Sequence, residues 1–159
     1  MQVSDDEVVD AVLRASRVLV AVAARSLAAV DHDVTLPQYR ALVVLGSRGP
    51  QRPSALAEAL AVHPSTVTRL CDRLVAKRLV HRGESAANRR EVSIRLTPKG
   101  RRLVDAVTAR RRREIAAIAA GIPPRDRAAT VQALHALGDA AAEPDDAAWF
   151  TGAVGSGDP

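Results

Sequence analysis

Between Pro53 and Leu79 the chain reads PSALAEALAVHPSTVTRLCDRLVAKRL, two helical patterns joined by a turn too short to let them separate. Ser54 is placed to cap a first helix over Ala55 to Ala61. Val62 and His63 then lead into Pro64, which suits a first helical position because its missing N–H would have no helical partner there. At roughly 100° per residue, Val67, Leu70, Cys71 and Leu74 share one face of the second helix, ready to meet Leu56 and Leu60 of the first. Ser65, Arg69, Asp72, Arg73 and Ala76 share the opposite face, flanked by Thr66 and Thr68. These are the proportions of a helix-turn-helix, whose second helix enters a major groove by its N-terminal end, where Ser65, Thr66, Thr68 and Arg69 stand. Short hydroxyls and long guanidiniums suit base edges and phosphates. An ordinary solvated helix face looks the same in isolation, so the neighbouring sequence decides.

The neighbours are basic. From His63 to Arg102 there are eleven Lys and Arg against three acids (Asp72, Glu84 and Glu91), a local net charge of +8 inside a chain whose total is +5. A basic middle in an otherwise slightly acidic chain is the electrostatic footprint of a polyanion site. After Leu79 the periodicity changes from helical to alternating. Val80, Arg82 and Glu84 form one short strand pattern; Val92, Ile94 and Leu96 form a second. Between them lies the polar tip Ser85-Ala86-Ala87-Asn88-Arg89-Arg90, and an arginine-tipped hairpin after such a helix can reach the adjacent minor groove.

Long helices flank this unit. Ser4 and Glu7 make a capping box for a first helix running to near Val30, with Val8, Val12, Ala15, Leu19, Val22 and Ala29 as its stripe. A helix that long cannot bury its stripe alone and must pack on a second long helix of its own chain or of a partner. Thr35, Pro37 and Gln38 open the next helix, with Tyr39, Leu42, Val43 and Leu45 inward and Gly46, Gly49 and Pro50 as its stop. Thr97-Pro98 starts another, to about Ala120, carrying Leu103, Val107, Ile115 and Ile118. Its run Arg110 to Arg113 points all round the axis and reads as solvated or paired positions, the acidic first helix being a candidate partner. Gly121-Ile122-Pro123-Pro124 breaks the pattern before a last helix, about Arg125 to Ala142, bearing Val131, Leu134, Leu137 and Ala141. From Glu143 the chain looks like a tail, in which Trp149-Phe150 could dock. With aromatics at 2% of 159 residues, the core must come from Ala, Val, Leu and Ile. That favours a mostly α fold with one small β-hairpin.

The order of elements and three segments together resemble the MarR family of winged helix-turn-helix regulators: TLPQYRALVVL from Thr35, SALAEALAVHPSTVTRLCDRLVAKRLVHR from Ser54, and NRREVSIRLTPKG from Asn88. The resemblance implies four segments: an N-terminal dimerisation helix (1–34), a winged helix-turn-helix DNA-binding domain (35–97), C-terminal dimerisation helices (98–142) and a flexible tail (143–159). It also implies a homodimer that binds a near-palindromic operator in double-stranded DNA and is released by a small-molecule effector. Carried over residue by residue, Ser65, Thr66, Thr68, Arg69 and Arg73 are the recognition-helix contacts, and Arg90, with Arg89 beside it, is the wing's minor-groove contact. The chain departs from the family twice. Asn88 stands where the wing motif usually has Asp, and it cannot form the full ion pair that orients a wing arginine. His63, a weaker cap, stands where a Ser often caps the recognition helix.

Other functions are weighed on the same residues. An effector-independent architectural DNA-binding protein would carry the same sequence features. A redox regulator would use Cys71, but Cys71 falls on the apolar face, as a small core residue does. An enzyme is not expected: His32, His63, His81, His135 and Cys71 fall on separate elements, with no metal-ligand spacing and no glycine-rich phosphate loop. No cofactor or metal is expected. The acidic N-terminus resembles no signal peptide, and the longest apolar run, near Val18 to Ala24, is too short for a membrane span, so the chain reads as cytoplasmic.

Overall fold

The computed structural model describes residues 3–85 and 90–142. The elements are α1 (Asp5–Ala28), α2 (Leu36–Arg48), α3 (Pro53–Leu60), α4 (Pro64–Ala76), β1 (Val80–Glu84), β2 (Val92–Leu96), α5 (Pro98–Ala119) and α6 (Pro124–Ala140). The fold is mostly helical with a two-stranded antiparallel hairpin, as expected. Both capping boxes form. Glu7 reaches back to the Ser4 backbone N–H at 2.9 Å, and Gln38 to that of Thr35 at 3.2 Å. The Ser4 backbone N–H and hydroxyl hold the Glu7 carboxyl below its usual range, because both favour the ionised form.

Some local expectations fail for identifiable reasons. Ser54 does not cap α3: Pro53 already occupies the first helical position, so the cap falls on Arg52, which makes no side-chain capping bond. Gly46 does not stop α2, which continues to Arg48 and ends at Gly49 with φ +74°. One glycine inside a helix costs only about 1 kcal/mol against alanine, and α2 is held by six buried residues around it. Helix α1 ends at Ala28, two residues short of Val30, and α4 ends at Ala76, with Arg78 in the left-handed region at φ +59° before the wing begins.

Residues from α2, α3, α4, the hairpin and the first half of α5 share one core. Leu42, Leu45, Leu56, Val67, Leu74, Leu79, Ile94, Val104 and Val107 are all fully enclosed. The hairpin runs in register from Val80↔Leu96 to Glu84↔Val92. The segment between α2 and α3 adds a third rung, because Gln51 exchanges two backbone hydrogen bonds with Ile94, at 2.9 and 2.8 Å. The wing is thereby stitched to the start of α3 as well as following α4.

The long flanking helices are another matter. Only Val22, Ser26 and Leu27 of α1 are buried, all near its C-terminal end, where it packs on α5 and α2. Glu114 of α5 fixes that contact. It accepts from Arg25 Nη2 at 3.2 Å and from the buried Ser26 hydroxyl at 3.2 Å, and it pairs with Arg110 one turn earlier at 3.7 Å. The cross-helix pair therefore runs from an α1 arginine to an α5 acid, opposite to the direction expected from the acidic start of α1. Glu114→Ala strips the partner from a buried hydroxyl and should lower stability by about 1–2 kcal/mol. Chemical denaturation measures this directly, and an unchanged midpoint would contradict the role given to Glu114. Among the described residues α6 buries no side chain at all.

Candidate nucleic-acid interface

Helix α4 divides as its sequence requires. Val67, Leu70, Cys71 and Leu74 are buried, while Ser65, Thr66, Thr68, Arg69 and Arg73 are exposed on the other side. The five α4 residues expected to touch DNA thus share one solvent-facing surface, with the hydroxyls in the first turns and the guanidiniums behind them.

His63 caps this helix. Its Nδ1 accepts the Ser65 N–H at 3.3 Å and lies 2.9 Å from the Ser65 Oγ. A ring nitrogen thus fills the place of the more usual cap oxygen. The Thr68 hydroxyl donates to the Pro64 carbonyl at 3.2 Å, leaving its lone pairs as acceptors toward an amino group in a groove.

The wing stands beside α4. Arg90 is exposed in the turn two residues before β2 and shares a shallow recess of about 280 Å³ with Arg82. Asn88 and Arg89 lie outside the described residues, as does the tail from Glu143. Two ion pairs link the wing to the helices beneath it: Arg82 to Asp72 of α4 at 3.2 Å, and Glu91 to Arg52 at the start of α3 at 3.2 Å. The sequence placed Asp72 on the outward face of α4 and Arg82 in the first strand, but gave no sign of either pairing. A strand arginine and a helix aspartate ten positions apart carry no periodic signature.

Cys71 is 1% exposed, and its thiol is pushed up to about 11, chiefly by burial, with the nearby Arg82 opposing and Asp72 adding to the rise. A thiol with a raised pKa stays protonated at neutral pH and is a poor nucleophile. Folded protein at pH 7 should therefore leave Cys71 unmodified by a thiol reagent and should react fully once denatured. Fast labelling of the native state would restore the redox reading.

A second feature lies away from the α4 face. A cavity of about 460 Å³ opens between α1, α2 and α5, with Val20, Leu36, Tyr39 and Val43 in its apolar walls and the guanidiniums of Arg40, Arg48 and Arg111 at its margin. The Nε of Arg111 is buried and, among the described residues, has no hydrogen-bond partner. The sequence signal for this site was hidden in the run Arg110 to Arg113, whose members face different ways. Among the described residues no His, Cys, Asp and Glu cluster fit for a metal ion is present, and no helix is long and apolar enough to cross a membrane.

Comparison with known proteins agrees with this architecture. A family profile described as "MarR family" matches residues 32–91. The solved structure of RV1404 from Mycobacterium tuberculosis is similar over 91% of this chain and 99% of its own, at 44% identity and a TM-score of 0.83. The transcriptional repressor NicR of Pseudomonas putida is 34% identical over 79 residues, half of each chain. The structure of BpsR from Bordetella bronchiseptica, described as regulated in its DNA binding by 6-hydroxynicotinic acid, is 26% identical and covers 91% of this chain and all of its own, with a TM-score of 0.63. The chain spans about half the length of the curated relatives it matches.

Proposed function

The chain belongs to the MarR family, and from that premise we propose that it is a transcriptional repressor, not an enzyme, that binds a near-palindromic operator in double-stranded DNA as a homodimer and is released by a small anionic effector. The observation that carries the DNA half is the division of α4: four apolar residues anchor it while Ser65, Thr66, Thr68, Arg69 and Arg73 face solvent beside the arginine-bearing wing. In this reading the first two turns of α4 enter the major groove, Arg69 or Arg73 reads a purine edge, and Arg90 and Arg89 enter the neighbouring minor groove. The exposed apolar residues of α1 and α6 become the contact with a second copy, and two copies set the half-site spacing near one helical turn, about 34 Å.

The effector half rests on the cavity between α1, α2 and α5. Arg40, Arg48 and Arg111 line it, and their positive charge favours an anion there. Apolar walls around it favour a carboxylate on a flat, apolar body. The 6-hydroxynicotinic acid that regulates DNA binding by the Bordetella protein is likewise a carboxylate on a flat ring, though a more polar one. Helices α1 and α5 continue toward the exposed flanking faces while α2 belongs to the reading domain, so a ligand wedged among them would change the angle between the two reading heads.

A titration tests the DNA half. Duplexes selected from a random library by the parent protein should bind at least a thousandfold tighter than scrambled duplex at the same salt. Arg69→Ala should cost roughly 1–3 kcal/mol on the selected duplex and relax its sequence preference, whereas Arg90→Ala should weaken both duplexes more evenly and flatten the salt dependence. Tight but unselective binding by the parent would leave an architectural protein instead. For the cavity, aromatic carboxylates should raise the melting temperature of the parent and not that of Arg111→Gln.

A further inference from the structure

The basic segment from His63 to Arg102 contains three acids, and two of them stand close to the residues that would read DNA. Asp72 lies on the outward side of α4, one turn beyond Arg69 and next to Arg73. Glu91 directly follows Arg90. A carboxylate in either place repels phosphate, so plain electrostatics predicts that each acid weakens binding.

We propose that Asp72 and Glu91 are positioning residues for DNA reading: through ion pairs to Arg82 and Arg52 they brace the wing against α4 and α3, so that Arg90 and the α4 face meet the duplex as one rigid surface. The proposal rests on the DNA-binding reading above and adds to it a role for two acids that would otherwise oppose it.

The geometry supplies the brace on two sides. Arg82 leaves β1 and meets Asp72 Oδ1 at 3.2 Å, tying the outgoing strand to the middle of the recognition helix. Arg82 also borders the recess that Arg90 lines, so the pair holds a residue next to the wing arginine. On the far side Glu91 meets Arg52 at 3.2 Å, where the chain enters α3. The Glu91 backbone carbonyl also accepts the Ser85 N–H at 2.8 Å, so this residue is held by both main chain and side chain. The Gln51–Ile94 rung, opposite Arg82 in the hairpin and next to Arg52 in sequence, fixes the middle of β2.

Both pairs are largely solvent-exposed, with side-chain exposures of 38% and 60% for Arg82–Asp72 and 63% and 38% for Arg52–Glu91. Exposed pairs contribute little to global stability. Their loss should therefore appear in DNA binding and not in melting, which separates positioning from a structural role.

The test is the sign of a charge effect. Asp72→Asn and Glu91→Gln each remove a negative charge from a DNA-facing surface. Combined in one chain, they should nevertheless weaken binding to the duplex selected by the parent by roughly three- to tenfold, with an unchanged melting temperature. Binding to scrambled duplex should stay equal or tighten, so discrimination falls. Arg82→Gln should cost less in the Asp72→Asn background than in the parent, because the brace is already gone. Selected-duplex binding that tightens or stays equal in the combined variant overturns the proposal, as does strict additivity in the Arg82 cycle. A parent that fails to discriminate between the duplexes overturns the sequence-specific reading and this proposal with it. A parent that discriminates, with combined variants that bind as tightly, overturns the brace alone.

Discussion

Gly100→Ala is expected to cost about 3 kcal/mol and to lower the melting temperature by roughly 10 °C, more than most single-methyl additions. Gly100 sits in the first turn of α5, where its N–H donates to the Thr97 hydroxyl at 3.0 Å. A Cβ there would overlap the carbonyl oxygen of Leu79 and press on the Leu96 side chain. The Leu79 carbonyl has no room to yield. The Leu79 carbonyl accepts the Thr97 backbone N–H at 3.1 Å and the Thr97 hydroxyl at 3.1 Å, and Leu79 itself is fully enclosed. The obstacle is backbone, so no rotamer change removes it; the start of α5 must move away from the segment that joins α4 to β1. That junction also aligns the reading domain with the flanking helices, so the variant should lose duplex affinity beyond what its stability predicts. A calorimetric scan checks the first effect. A melting temperature within 2 °C of the parent would mean that the approach of α5 to Leu79 is not tight.

Residues that act through local periodicity were legible in the sequence. The capping boxes at Ser4 and Thr35 need only residue types at fixed offsets, and both form. The division of α4 follows from a period near 3.6, and the hairpin from alternation, so Val67, Leu70, Cys71, Leu74 and Ile94 fall inside as expected. What failed or stayed hidden depends on position across the fold. Ser54 has the right residue type for a cap, yet Pro53 starts the helix one residue too early for it to serve. The Gln51–Ile94 rung and the Arg52–Glu91 pair join segments about forty positions apart, a distance at which no spacing rule operates. Arg111 was indistinguishable from its three neighbours in the arginine run until packing of α5 on α1 and α2 turned one of them inward. The sequence resemblance supplied the expected DNA contacts, but exposure on one face is a condition for that role and the titrations decide it.

The largest functional loss should come from a residue that touches no DNA. Leu134→Asp is expected to turn a dimer into monomers and to reduce affinity for the selected duplex by roughly a hundredfold or more, because a dimer's second half-site binds at high effective concentration and a monomer's does not. Helix α6 has 17 residues, and a helix in a protein draws most of its stability from packing its apolar face. Its apolar residues Val131, Leu134 and Leu137 are 52%, 51% and 45% exposed, and among the described residues none of α6 is fully buried. Val8, Val9 and Leu13 of α1 and Ile118 of α5 are exposed in the same manner, all on the helices that flank the reading domain. Fully burying a leucine or valine contributes about 1.5–3 kcal/mol. A surface of seven such residues is therefore costly in water, and covering it with a second copy of the same surface would offset that cost. A carboxylate at position 134 would then be buried without a cation, a loss that relaxation cannot recover. Sedimentation of the variant should give the monomer mass while the circular dichroism of the reading domain persists. Arg69→Ala should do the converse, remaining dimeric while losing selectivity. If Leu134→Asp stays dimeric with parental affinity, the α6 face is not where the two copies meet, and the exposed stripe of α1 must carry the association without it.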